Sequence, residues 1–457
     1  MSQGIRTLAA GALAPVFAIP FGTAIGPFTR PNVALSNSEA TSQTFYVTME
    51  GDDAAGGRTP ETSWATIRKV NESLPDNSRV RFRRGDTFYG ELNLPFGADV
   101  GAFGVGARPI LTMFKILNKP DGWLEHSEGI WMIDLSSPTT HGGYDTSNDA
   151  NVGFLVVDGT VMPVLKFDLA DLANQWDFYC DIPSHTLFVK SSTNPTELAA
   201  DIKAAPNGNA YGPSGTVIYC QRGQNEIEDI HVTGSGGCGI RGSGSDVHVH
   251  DCLIDYIGGA WLPSRSNPTL RWGNGIEHWP SVGRWTIENN EIAQVYDVAW
   301  SSQGSDPNGG PISWTDMNIR NNHFHDCGQM IELWSENSNP DSPGFVRIKF
   351  EKNLCERAGG GVFADVRPDQ AVRVHLLTYK LQTPVDVSIT DNFFVGSSGA
   401  YSYHSSKPPA GYLTRNNTIL LKAGTKMEYQ RDETVEDADA WRAATGMEFG
   451  SAIGLLP

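Results

Sequence analysis

The six cysteines of this chain include no CxxC pair, so the paired-thiolate spacing of structural zinc sites is missing. Cations are also scarce, with 34 Lys and Arg against 52 Asp and Glu and a formal charge of −18. Duplex binding rests on basic side chains that neutralise phosphates, so no nucleic-acid partner is expected. A polyanionic substrate needs a local basic patch to overcome this charge, and neutral or sparsely acidic sugars suit it better. No apolar run is built to cross a membrane. Residues 7–29 carry no charge, but Pro15 and Pro20 interrupt them. The run TLAAGALAPVFAIPF behind Arg6 is similar to the apolar part of an export signal, yet no small-x-small cleavage site follows. The expectation is a retained leader over residues 1–42 that neither spans a membrane nor is removed.

What the chain has is glycine (49), proline (27) and repetition. Turn-forming residues at that level, with 39% hydrophobic residues, suit an all-β chain with a long core. One phrase recurs six times: VHVHDCLI around Cys252, WTIENNEI around Asn290, MNIRNNHF around Asn322, IKFEKNLC around Asn353, VSITDNFF around Asn392 and LTRNNTIL around Asn417. The steps between markers are 38, 32, 31, 39 and 25 residues. A period of a few tens of residues signals a stacked-repeat architecture. Each copy alternates apolar and polar residues and none has a helical stripe, so the stacked units are strands. An inward Asn at a recurring turn bonds the coils above and below it. Repeat proteins grow along one axis, so 457 residues read as one main body despite a length prior of several domains.

These phrases, with GDDAAGGRTPETSWATI, RVRFRRGDTFYGELNLP and GAFGVGARPIL in the first third, resemble the right-handed, single-stranded parallel β-helix of the pectate-lyase-like superfamily. The resemblance covers most of the chain and is specific for fold, not for reaction. It divides the chain into the leader (1–42), a parallel β-helix over 43–420 and a tail or cap over 421–457. Trp64, Ile67, Val70 and Leu74 have helical spacing and predict a short capping helix that covers the first coil. From about 113 to 215 the rhythm breaks, and DGTVMPVLKF and FYCDIPSHTLFVKSSTNP predict an inserted β-subdomain. A second helix is expected over VEDADAWRAA. Cys252 at a marker position, and Cys327 and Cys355 beside markers, read as buried free thiols rather than disulfides.

Aligning the strands that follow each marker gives GCGIRGS, GNGIEHW, VYDVAWSSQG, GQMIELW, GGVFADVRP and GAYSYHSS. Glu277 and Glu332 share a slot, each two residues before a tryptophan, Trp279 and Trp334. In this alignment Asp297 falls on the coil between them, and Asp365 with Arg367 on the coil after. Stacked like carboxylates repel and raise each other's pKa, a cost that a purely structural face avoids. Paired acids are what glycoside hydrolysis uses, and flat aromatic rings orient a sugar. The candidate catalytic residues are therefore Glu277, Asp297 and Glu332. The candidate substrate contacts are Trp279, Trp334, Asp365, Arg367, Gln303 and Arg271. Competing structural readings are a solvated face for the two glutamates, an Asx turn for Asp297, core positions for the tryptophans, and pairing of Arg367 with Asp365 or Asp369. His278, opposite Glu277 in strand parity, reads as a core or subunit contact.

The rival chemistry is β-elimination on a uronic acid, recruiting Arg367, Arg271, His404 and Tyr401 or Tyr403, with calcium as the one cofactor considered. A third reading is a spike that grips glycan without cutting it. The resemblance implies a polysaccharide-degrading enzyme similar to phage tailspike depolymerases, which often use Asp and Glu on one β-helix face, although no exact motif carries over. It also implies an extracellular or virion-associated location and, for a phage spike, a homotrimer.

Overall fold

The computed structural model describes residues 43–136, 150–208, 215–262, 269–367 and 372–456. The expected leader lies outside them. Strands recur in a cycle of three parallel sheets. One coil comprises Trp285–Glu288 in the first sheet, Glu291–Val295 in the second and Val298–Gly304 in the third. The next coil comprises Ser313–Arg320, His323–His325 and Gln329–Ser335, and each strand pairs in parallel with its counterpart one coil earlier. Among the described residues the three sheets contain 11, 10 and 9 strands, and the chain is a parallel β-helix.

The alternation seen in the sequence becomes a division between inside and outside. Ile276, Trp300 and Ile331 are register partners in the third sheet and belong to one continuous buried core. Aromatic rings stack within it, as with Trp314 on Phe345 at 4.5 Å and 11°. At the corner between first and second sheets, Asp251, Asn289, Asn321, Lys352, Asp391 and Asn416 all take φ of 55–59°. Left-handed backbone costs a non-glycine residue roughly 1–2 kcal/mol, and here it turns the next residue inward. That next residue is the marker. Asn290 Oδ1 accepts from the Cys252 amide at 3.0 Å, and Asn322, Asn353, Asn392 and Asn417 accept in turn from the marker before them at 2.9–3.0 Å. Each of these asparagines also donates through Nδ2 to a carbonyl of an earlier first-sheet strand, for example Asn322 to Ile287 at 2.9 Å. The sequence period is therefore the hydrogen-bond period.

The helix Ile67–Ser73 is capped at Thr66, whose side chain accepts from the Lys69 amide, and it buries Ile67 and Val70 on the first coil. Trp64 precedes the helix and packs on Phe45 at 4.5 Å. At the other end the helix Ala438–Thr445 covers the last coils with a fully buried Trp441. Between Ile110–Thr112 in the second sheet and Thr216–Cys220 in the third, the strands leave the cycle. They build a four-stranded antiparallel sheet and a five-stranded mixed one with their own core around Trp123, Val152, Phe178 and Leu187. A smaller cluster joins Phe154, Val156 and Ala205 of this insert to Tyr296 and Phe363. All six cysteines are free and buried. Among the described residues, no helix is long and apolar enough to cross a membrane.

Candidate active site

The outer face of the third sheet carries one register column, read coil by coil as Tyr219, Arg241, Glu277, Ser301, Glu332, Leu377 and Tyr403. Strand parity explains its direction. Ile276 and His278 flank Glu277, and Ile331 and Leu333 flank Glu332, and all four point into the core, so both glutamates point outward. They lie two rungs apart, about 9.6 Å at the usual strand spacing. Neither is solvated: Glu277 is 1% exposed and Glu332 5%.

Glu277 is surrounded by donors. The Cys238 thiol donates to Oε2 and the Gln303 amide to Oε1, both at 3.0 Å, while Arg241 Nε lies 3.6 Å from Oε2. Glu332 has a single described side-chain donor, the Ser301 hydroxyl at 3.5 Å. Burial above all, then the negative charges of Asp297 and Glu277, push its carboxyl well above the usual carboxylate range, and Arg367 only partly opposes them. Gln303 and Trp334 are register partners, and Trp279 and Trp334 meet edge to face at 6.5 Å. Arg241 lies 5.8 Å from the centre of the Trp279 ring. The rings therefore stand beside the acids, half-buried.

Several expected positions differ. Ser301, not Asp297, occupies the slot between the two glutamates. Asp297 lies just before the strand Val298–Gly304, where its carbonyl accepts from the Gln329 amide at 2.8 Å. The strand after Gln329–Ser335 is Val374–Leu381, with Leu377 in the slot. The segment GGVFADVR, residues 360–367, instead forms a turn, which leaves Asp365 exposed and off the column. That turn sends Arg367 back to Asp297, whose Oδ1 accepts from Nη1 at 2.9 Å, and to the Tyr296 carbonyl at 2.8 Å. Among the described residues Arg367 thus pairs with Asp297 and is 4% exposed, while Asp369 lies outside them.

Arg271 is likewise off the column. Only 3% exposed, it donates to the carbonyls of Gly259 at 2.6 Å and Gly153 at 2.8 Å, so it ties the insert to the β-helix. Arg271 and Arg367 both lie on the Tyr296 ring, 4.5 and 5.2 Å from its centre. His278 is a core residue whose pKa burial lowers to about 3. Burial lowers His404 to about 3 as well, and Tyr401 is buried with its hydroxyl on Glu448 at 2.5 Å. Neither can act as a base on an outer face, and of the groups considered for elimination only Tyr403 lies in the column. The residues do not fit calcium either. It takes six to eight oxygen ligands, whereas Glu277 faces thiol, amide and guanidinium donors and Asp297 holds a guanidinium.

Sequence reasoning missed Arg241, Cys238 and Ser301. Arg241 was legible, because GCGIRGS and GNGIEHW align it directly with Glu277.

No protein-family model and no curated protein matches the chain. Among solved structures, a complex of XylC with xylose is similar at 10% identity and a TM-score of 0.47, covering 90% of this chain and 82% of that one. A family 28 exopolygalacturonase of Yersinia enterocolitica is similar at 12% identity and TM-score 0.36, covering 91% and 78%. An alginate lyase from Paenibacillus is similar at 8% identity and TM-score 0.37, covering 90% and 99%. These likenesses leave the reaction open.

Proposed function

We propose that the chain is a polysaccharide-degrading glycoside hydrolase whose acid is Glu332 and whose base is Glu277. The observation that carries this reading is the contrast between two glutamates in one column: Glu332 is buried beside negative charge with a raised pKa, while Glu277 is ringed by donors. A carboxyl whose pKa is raised is suited to give its proton to a glycosidic oxygen, and a second carboxyl held by donors to take one from water. Glu332 protonates the leaving oxygen as the anomeric bond breaks. Glu277 removes a proton from the water that attacks the opposite face.

Separation favours inversion. Two rungs, about 9.6 Å, approach the upper end of the roughly 6.5–9.5 Å span that leaves room for water. Ser301, a small residue whose hydroxyl donates to Glu332, occupies the rung between the glutamates. Trp279 and Trp334 supply ring faces for sugar, with Gln303 and Arg241 as polar contacts. The Asp297–Arg367 pair sets the charge beside Glu332. The acidic chain favours a neutral or sparsely charged bacterial exopolysaccharide or capsule, met outside the cell or on a virion surface.

The test is incubation with a panel of bacterial exopolysaccharides, following both reducing ends and absorbance of unsaturated uronates. New reducing ends without absorbance support hydrolysis. Both signals together replace it with elimination, and binding with neither replaces it with a non-cutting spike. Full activity in Glu277→Gln or Glu332→Gln would falsify the site.

A further inference from the structure

The outer faces of the first and second sheets carry the same side-chain arrangement twice. His248 and His250 lie on one face of Val247–His250, and His323 and His325 on one face of His323–His325, with ring centroids 4.2 and 4.4 Å apart. In each pair the following Asp has φ of 55° and accepts from Nδ1 of the second histidine, Asp251 at 2.7 Å and Asp326 at 2.8 Å. Nε2 of the second histidine meets a glutamate one coil earlier, Glu226 or Glu291, at 3.2 Å in both. Nε2 of the first meets one a coil later, Glu288 at 2.9 Å or Glu356 at 2.7 Å. Stacking alone does not demand this, since Thr286, Asn318 and Ser388 fill the same register position as His248 on other coils.

The two clusters differ in one respect. Arg357 donates to both oxygens of Asp326 at 2.8 Å and lies 3.3 Å from His325 Nδ1, so in the second cluster a fixed cation sits beside the second histidine, whereas in the first the cation is Arg320, placed on Glu288 at 2.7 Å. In the first, the ion pair of Asp251 among the described residues is with His250 alone. There one ligand atom each from Glu226, His248 and His250 lie within 4.8 Å of one another.

We propose that Glu226, His248 and His250 bind a divalent transition-metal ion of the zinc class and so clamp two successive coils. Two imidazoles and one carboxylate suit such an ion, whereas calcium and magnesium call for oxygen donors. Asp251 and Glu288 each hold one nitrogen of their imidazole, which orients the ring and leaves its other nitrogen to offer, the arrangement that supports metal-bound histidines. Tetrahedral donors stand roughly 3.4 Å apart for bonds near 2.1 Å, so from separations of 4.8 Å or less the three side chains close in by at most about 1.4 Å. The ion takes the place of the proton between His250 Nε2 and Glu226, and water completes its shell.

The test is calorimetric titration of the tag-free full chain with Zn2+, with His250→Gln, Glu226→Gln and, as an internal control, His325→Gln. The expected result is saturable binding by the parent chain, weakened at least tenfold by each of the first two changes and unchanged by the third. Zinc should also raise the melting temperature of the parent and of His325→Gln but not of His250→Gln. Metal-free melting curves show that each variant folds, and Glu226→Gln, at a half-buried position, keeps the test open if a histidine variant does not. Absence of saturable binding, equal loss in His325→Gln, or parent-like affinity in both first-cluster variants overturns the proposal.

Discussion

Two columns run along this β-helix at the same rung spacing, one inside and one outside. The inner column places a marker on consecutive coils from Cys252 to Asn417, and every asparagine in it both accepts and donates. The outer column carries Glu277 and Glu332 with Ser301 between them. An amide is donor and acceptor at once, so it can repeat on every rung. A carboxylate only accepts, and two of them in contact repel. Spacing by a small hydroxyl residue is therefore what lets two buried acids share a face. The inner column is satisfied and structural; the outer one holds an electrostatic cost that a catalytic face can use.

The comparison breaks most sharply by neutralising the outer column. Glu332→Gln should lower turnover by a factor of roughly 10² to 10⁴, with melting temperature held or raised because the carboxyl whose ionisation burial opposes most on this face is removed. Reducing-end assays beside thermal melts check both halves. The opposite change, Asn322→Ala, leaves the Asn290 amide and the Ile287 carbonyl without their partner, at about 1–3 kcal/mol for each buried group. Urea titration should show that loss, while activity per folded molecule stays near the parent value.

The pH dependence follows next. Because the Glu332 pKa is raised on folding, its contribution is full below the unfolded value of about 4.3 and is lost as pH rises through the folded value. The interior histidines His278, His375 and His404, lowered to about 3, act in the other direction: their contribution is full above about 6.5 and is lost as pH falls. Melting temperature against pH should decline on both sides, and Glu332→Gln should flatten only the alkaline decline. An unchanged alkaline limb in that variant would remove Glu332 as its source. The smallest effect is expected from the rings. Trp279→Ala and Trp334→Ala should each raise KM about tenfold or less, from roughly 0.5–1.5 kcal/mol of aromatic contact, with kcat nearly kept.

The inner column was legible from sequence because its signal is periodic: the steps of 38, 32, 31, 39 and 25 residues are the separations spanned by its hydrogen bonds. The positions of Glu277 and Glu332 followed from strand parity for the same reason. What failed were places where a coil leaves the cycle. The 39-residue step hides a turn, so GGVFADVRP was aligned as a strand although Val374–Leu381 fills that place. Strand alignment puts Asp297 on the coil between the two glutamates, but the strand begins one residue later and Ser301 fills the slot. The contacts of Arg271 and Arg367 join distant segments, which no local pattern reports. Long steps in such a repeat are the warning, since the 38-residue step contains the excursion Ala260–Trp261 and Arg271–Trp272.

The asparagine column also has a direction and an end. Each backbone amide in it points toward the C-terminus, to the oxygen of the next marker, until Asn417 gives its Nδ2 hydrogen to Glu448 at 2.9 Å. Tyr401 and Ser451 donate to the same buried carboxyl at 2.5 Å. An asparagine at that place would present a further amide for another coil to continue; Glu448 absorbs the last donors and passes none on. The asparagine column therefore closes on an acceptor: the coil that carries Asn417 hands its last amide hydrogen to a carboxyl fixed by Tyr401 and Ser451, so the final rung of the column is held by the segment that follows it.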